Sequence, residues 1–414
     1  MRAICLYLHI HQPYRVEQYS IFKVGHDHNY FNANYISNQS NERIFHKVAE
    51  KSYHPMLDLI ESEVKRNKDF KVSLSITGTW LDQALEWDPA LIKQIKYLVS
   101  TKQVEIVGET YYHSMAFFYN REEFEDQVAR HQAKIKQLFG VKTKVFRHTE
   151  FAYNDEMGHW LDTVGHDRFG FKGMLTEGWD KVLGWRSPNH VYRPHDAKNT
   201  VLLLKNYRLS DDIAFRFSDR NWKEWPLTVD KYQGWLDFDC NRGNLINLFM
   251  DFETFGENQW ADTGIFEFMH DLIHKWLAVY ENKFVTVSEA CELEEAQDEL
   301  SIPQTVTWAD TERDLSAWMG NSLQDSAMHA LYEIRGEVMG SGDQRLIDDW
   351  RKLTTSDHAY YMCTKYWNDG DVHAYFSPYE SPYDAFMYFM NVLRDMKYRI
   401  EQDKVRHDLA SKAN

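Results

Sequence analysis

Several apolar runs in this chain end in residues able to move protons or attack carbon. In Leu245-Ile246-Asn247-Leu248-Phe249-Met250-Asp251-Phe252-Glu253 a mostly apolar segment turns acidic within one residue, and Asp251 stands at the changeover. Strand ends in α/β sheets open into the ligand crevice, so a carboxylate there can act as general acid, general base or nucleophile. Glu253 shares Asp251's side if the strand continues, so position alone leaves the choice between them open. For both acids the plain alternative is a helix cap or a solvated turn. Lys144-Val145-Phe146-Arg147-His148-Thr149-Glu150 repeats the arrangement. Arg147 can hold a neighbouring carboxylate ionised, which makes Glu150 a candidate nucleophile; a structural pair of Arg147 with Glu150 or Glu156 competes with that reading. Alternation along Ala3 to Ile10 sets Tyr7, His9 and, just beyond, His11 on one face. Two histidines at a strand end make a metal site, a hydroxyl clamp or a satisfied core pair. The run Val104 to Gly108 ends in Glu109, with His113 beyond two tyrosines that these residues could simply position.

The elements that must carry these residues alternate. Helical spacing spans Asn41 to Asn67, Pro89 to Thr101 and Glu122 to Phe139, the last closed by Gly140. Strand patterns cover Val72 to Gly78, Val104 to Gly108, Phe171 to Leu175, Val201 to Lys205, Ile213 to Phe217, Asn244 to Asp251 and, as the last, Phe284 to Ser288. Strand, helix, strand rhythm means parallel βαβ units. A helix follows Asp251 over Ile265 to Glu281. Beyond about Glu295 the pattern turns helical, over Ser322 to Val338, Leu346 to Trp367 and Pro382 to Arg406, which divides the chain into domains 1–295 and 296–414. Thr307 to Asn321 concentrates aromatics, acids and amides as a site would.

With 414 residues, 43% of them hydrophobic, the chain can build a large barrel with an appendage. A formal net charge of -16 argues against nucleic acid or an anionic membrane as partner, because either demands a basic surface. A neutral ligand fits better, and 14 Trp, 24 Tyr and 24 Phe suit the mixed faces of sugars. Cys5, Cys240, Cys291 and Cys363 have no metal or disulfide spacing, and no glycine-rich phosphate loop occurs, so no metal and no cofactor are expected. The amino terminus is too short in apolar residues for a signal peptide, and no run approaches the ~20 residues of a membrane span; a soluble, cytoplasmic protein is expected.

Five ordered stretches then resemble glycoside hydrolase family 57: His9-Ile10-His11-Gln12-Pro13, Gly108-Glu109-Thr110-Tyr111-Tyr112-His113, Phe146-Arg147-His148-Thr149-Glu150, Met250-Asp251-Phe252-Glu253-Thr254-Phe255-Gly256, and Trp308-Ala309-Asp310 through Asn321. The resemblance implies an α/β fold, an incomplete seven-stranded (β/α) barrel followed by a C-terminal helical bundle that completes the cleft. It also implies a retaining, α-amylase-like enzyme on an α-1,4-glucan or maltooligosaccharide, hydrolysing it or transferring it to a sugar acceptor. Glu150 is then the nucleophile and Asp251 the general acid/base, protonated through desolvation among Phe249, Phe252 and Phe255. His9, His11, Glu109, His113, Arg147, His148, Glu253 and Asp310 are expected to bind substrate, with Trp260, Trp308 and Trp318 as ring platforms. Two other readings compete. One is a zinc-dependent barrel hydrolase of the α-mannosidase or polysaccharide deacetylase type, with His9, His11, His113 and Asp251 around the metal. The other is a catalytically silent glucan-binding protein.

Overall fold

The computed structural model describes residues 2–31, 40–365 and 377–413. The chain forms two compact units interleaved along the sequence. Met1–His11, Phe45–Thr110 and Val128–Ala309 make the first, and Gln12–Ile44, Tyr111–Gln127 and Asp310–Asn414 the second.

The first unit carries ten strands: β1 (Arg2–Ile10), β2 (Val72–Ile76), β3 (Val104–Val107), β4 (Val145–Arg147), β5 (Gly173–Glu177), β6 (Val191–Pro194), β7 (Val201–Lys205), β8 (Leu245–Asp251), β9 (Asn282–Val285) and β10 (Glu299–Leu300). β1 is parallel to β8 on one side; on the other it pairs with β9 along its first half and β2 along its second. β3 continues that sheet, while β4, β5 and β7 form a second parallel run with β6 antiparallel beyond it. The two sheets meet at thin seams. Gly108 bonds both neighbours in β4, its N–H to Val145 and its carbonyl from Arg147, each at 2.8 Å, and Asn206 N–H donates to the Asn247 carbonyl at 2.9 Å between β7 and β8. The ring of seven, β8-β1-β2-β3-β4-β5-β7, is therefore an incomplete barrel.

Its interior is filled by alternate residues: Ala3, Cys5 and Tyr7 from β1, Leu245 and Phe249 from β8, and Val145, Leu175 and Leu203 from the other run. Tyr7, Phe151 and Phe249 meet as three rings with centroids 5.4 to 5.8 Å apart. Each fully buried side chain of this size contributes about 1.5–3 kcal/mol. The helices pack outside, and local signals delimit them. Thr77 accepts from Trp80 N–H to start Gly78–Trp87, Pro89 begins Pro89–Ser100, and Gly140 at φ +74° ends Arg121–Phe139.

Several expected boundaries shift for local reasons. Asn41 to Asn67 is helical, but a wide π turn over Ala49–Tyr53 precedes Pro55, whose missing N–H breaks the regular ladder. Ile213 to Phe217 is not a strand. Asn206 accepts from Leu209 N–H at 3.2 Å and so caps a helix over Tyr207–Ala214. The expected last strand stops at Val285, because Thr286 and Glu289 form a capping box that opens the helix Val287–Cys291. A later two-residue strand, β10, still pairs with β6. The helix expected over Ile265 to Glu281 ends at Leu277.

In the second unit, helices among the described residues include Ser322–Glu333, Arg335–Gly340, Gln344–Leu353, Ser356–Tyr360 and Pro382–Ala413. Arg335 bonds Glu122, Glu123 and Asp126, and Arg351 bonds Glu123, so the fully buried Glu123 is matched by two guanidinium groups. The single helix expected from Leu346 to Trp367 stops at Leu353 and restarts at Ser356; Tyr366 and Trp367 lie outside the described residues. Among the described residues no helix is long and apolar enough to cross a membrane.

The turn after Asp251 tests how tightly the barrel end is built. Gly256 has φ +107°, and a Cβ there would sit 1.9 Å from the Lys51 carbonyl oxygen, whereas one at Gly234 meets nothing within 4 Å. Gly256→Ala is expected to cost more than about 3 kcal/mol, and Gly234→Ala, inside a helix, to stabilise by up to about 1 kcal/mol. Thermal melts of the two variants beside the parent check both signs.

Candidate active site

The register of β1 against β8 determines the first contact. His9 is the Cα partner of Asp251, the last pair of that ladder, and of Ser75 on β2. The imidazole of His9 lies between two acids, with Nδ1 3.4 Å from Asp251 Oδ1 and Nε2 3.3 Å from Glu109 Oε2. A neutral imidazole carries one N–H, so the row is satisfied when Glu109 keeps its proton and donates to Nε2 while Nδ1–H donates to Asp251. Glu109 suits that role. Burial pushes its carboxyl up to about 8, against the opposing pull of Arg147 and a Ser75 hydrogen bond, and the charge of Glu150 raises it further. His11 stacks on His9 with ring centroids 5.8 Å apart, and its Nδ1 is 2.9 Å from Thr77 Oγ1. The expected sharing of a face by Tyr7, His9 and His11 is what the strand delivers.

Glu150 follows β4 in a single helical turn, with φ +58° and ψ +24°, and Phe151 beside it has φ +53°. Non-glycine residues rarely adopt this left-handed region, at a cost of about 1–3 kcal/mol each, and such residues cluster at functional sites. Trp308 holds the turn twice. Its backbone N–H donates to the Glu150 carbonyl at 3.1 Å and its indole Nε1–H to Glu150 Oε2 at 2.6 Å. The indole meets Phe151 edge-on at 4.6 Å, with Arg147 5.3 Å and Lys205 5.1 Å from its ring. Arg147, fully buried, thus spreads its charge over Trp308 and Phe151 and also acts on Glu109.

Glu253 arrives by a different route from the one alternation anticipates. β8 ends at Asp251, and Phe252–Thr254 form a 3-10 turn. Tyr53 donates to Glu253 Oε1 at 2.8 Å, and the His11 N–H also bonds it. Loss of water and then the Asp251 charge push Glu253 up to about 8. Phe249, Phe252 and Phe255 are buried, but the Asp251 side chain remains 41% exposed. The rings therefore do not desolvate Asp251 as expected; the neighbouring carboxyl of Glu253 is the group that burial acts on.

His148 is fully buried, 6.5 Å from the Phe146 ring by centroids. Trp260 is largely exposed, with Lys51 Nζ 5.3 Å over its ring. His113, Asp310 and Trp318 belong to the second unit. His113 and Asp310 both have positive φ, +53° and +56°; the His113 carbonyl accepts from Ser356 N–H, and Asp310 pairs with Lys365 at 3.1 Å. Trp318 is 2% exposed in the short helix Ser316–Met319, packed 5.9 Å from Tyr360. Two charged residues were passed over in the sequence although they obey the rule that singled out Asp251. Glu177 ends β5 and Lys205 ends β7; Lys205 Nζ bonds Asp211 at 2.8 Å and lies 3.9 Å from Glu177.

A protein from Methanocaldococcus jannaschii, provisionally named an alpha-amylase, is 40% identical over 406 residues, 95% of this chain and 84% of its own length. Among solved structures, a branching enzyme of glycoside hydrolase family 57 from Thermococcus kodakaraensis superposes with a TM-score of 0.69 at 13% identity, covering 96% of this chain and 90% of that one. The 4-alpha-glucanotransferase from Thermococcus litoralis gives 0.67 at 15% identity over 96% of this chain, which spans only 60% of that enzyme's length. At such identities these two speak for the fold. The model of glycosyl hydrolase family 57 matches residues 5–303, and the chain belongs to that family.

Proposed function

We propose that this glycoside hydrolase cleaves α-1,4-glucans with retention, Glu150 serving as nucleophile and Asp251 as general acid/base. A Glu150 oxygen attacks the anomeric carbon while Asp251 gives its proton to the departing glycosidic oxygen, so the C–O bond breaks as the ester forms. Asp251, now ionised, takes a proton from water or from a sugar hydroxyl. That oxygen attacks the same carbon and frees Glu150. The route needs the two carboxyls roughly 5–5.5 Å apart in the working complex.

The observation that carries this reading is the treatment of Glu150: a carboxylate in a strained turn, held by an indole N–H at 2.6 Å, with buried Arg147 beside that indole. Strain and a charge-assisted bond spent on one acid favour a group that must be aimed and ionised. Beside Asp251, burial and then the Asp251 charge keep a proton on Glu253 up to about 8, and in this reading Glu253 is the store from which Asp251 is recharged. That supplies an acid at neutral pH without burying Asp251. His9, His11 and His148 are proposed to bind sugar hydroxyls. The names of the M. jannaschii relative and of the two structural neighbours support an α-glucan as substrate.

Asp251→Ala should lower kcat by about 100- to 10,000-fold on a natural α-glucan, yet far less on an aryl glycoside whose leaving group needs no proton; parallel rates on both substrates check this. Trp308→Phe, which removes the indole donor, should lower kcat/KM by about 10- to 150-fold, the range for a hydrogen bond to a charged group. Glu253→Gln removes the carboxyl that stores this proton. The basic limb of the kcat/KM profile should then move to lower pH, and an unmoved limb would separate Glu253 from the acid.

A further inference from the structure

On the outside of the barrel, Glu63, His270 and His274 point at one another across two helices. Glu63 lies on His54–Arg66, and the histidines stand four residues apart on Ile265–Leu277, hence on one face. His270 Nδ1 is 2.9 Å from Glu63 Oε1 and His274 Nε2 is 3.1 Å from Oε2, with the two rings 4.3 Å apart by centroids. Glu63 is fully buried, while the imidazoles are 38% and 43% exposed. Asn67 Nδ2 donates to Glu63 Oε2 at 2.9 Å and orients it; the exposed Arg66 reaches no closer than 4.0 Å.

We propose that these three side chains form a site for one divalent cation of the zinc class, tying the two helices together. The three ligand atoms lie within 4.8 Å of one another. Tetrahedral ligands ~2.0–2.1 Å from zinc stand ~3.3 Å apart, so the cation is held once the partly exposed rings shift by about an ångström. Neutral imidazoles bind through Nδ1 of His270 and Nε2 of His274, each keeping its proton on the other ring nitrogen, while the carboxylate of Glu63 lowers the net charge of the ion. The exposed side of the rings leaves a position for water. Helices of such a barrel run antiparallel to its strands, and both helices here lead by a short turn into the start of a strand, β2 or β9. Glu63 and His274 sit in the closing halves of their helices, so the cation lies at the end of the barrel away from Asp251 and serves stability rather than turnover.

The test is zinc titration of the chelator-treated full-length protein against a chromogenic competitor, with cobalt(II) as a spectroscopic probe. One equivalent is expected to bind, cobalt giving a visible ligand-field band, and zinc should raise the melting temperature. Loss of residues that merely orient a ligand weakens metal sites 10- to 100-fold, so His270→Asn and His274→Asn should each weaken zinc by more than ~100-fold and abolish the thermal shift. Both rings are partly exposed, and circular dichroism in chelator verifies that the variants fold. Glu63→Gln, which keeps the side chain's shape and removes its charge, should lose binding as well. Zinc affinity weaker than about 100 μM in the parent protein, or equal affinity in parent and histidine variants, overturns the proposal.

Discussion

Parallel strands end together, and that single geometric fact organises the candidate site. Because β1, β2, β3, β4 and β8 run the same way, their carboxyl ends bring His9, Glu109, Arg147 and Asp251 to one end of the barrel, with Glu150 in the turn that follows. The barrel interior below is filled by Tyr7, Phe151 and Phe249, so charge collected at its rim is poorly solvated. Charges in that position must either find partners or give up their ionisation.

The acids resolve this differently. Glu109 and Glu253 are each pushed up to about 8 by burial and can hold protons at neutral pH. Glu150 is matched instead by the Trp308 indole and lies in a region influenced by Arg147. Asp251, half-exposed, is linked through His9 to one protonated neighbour and by charge to the other. Carboxyls that keep protons at neutral pH, one of them joined to Asp251 through an imidazole, suit acid/base chemistry on a neutral substrate.

Much of this was legible in the sequence, because buried parallel strands are continuous apolar runs and their ends announce themselves by a sudden change to polar residues. Asp251, Glu109 and Arg147 were found that way, and Glu177 and Lys205 could have been. What escaped were effects that depend on partners distant in sequence. The role of Trp308 rests on a bond across 158 positions, and the burial of Trp318 on its contact with Tyr360. The raised Glu253 depends on its burial and on the Asp251 charge at the end of β8, opposed by hydrogen bonds from Tyr53 and His11, none of which a period-two pattern conveys. Local capping also overrode propensity at Ile213 to Phe217, where Asn206 turned an apparent strand into the end of a helix.

The central claim is that Glu150 forms a covalent bond to the sugar. Incubating the protein with a fluorinated maltosyl fluoride, whose ester breaks down slowly, followed by peptide mass spectrometry, tests this most directly. The account predicts one glycosyl adduct per chain, on the peptide carrying Glu150 and on that side chain. An adduct on Glu109, Asp251 or Glu253, or turnover of the reagent with inversion and no adduct, would contradict it.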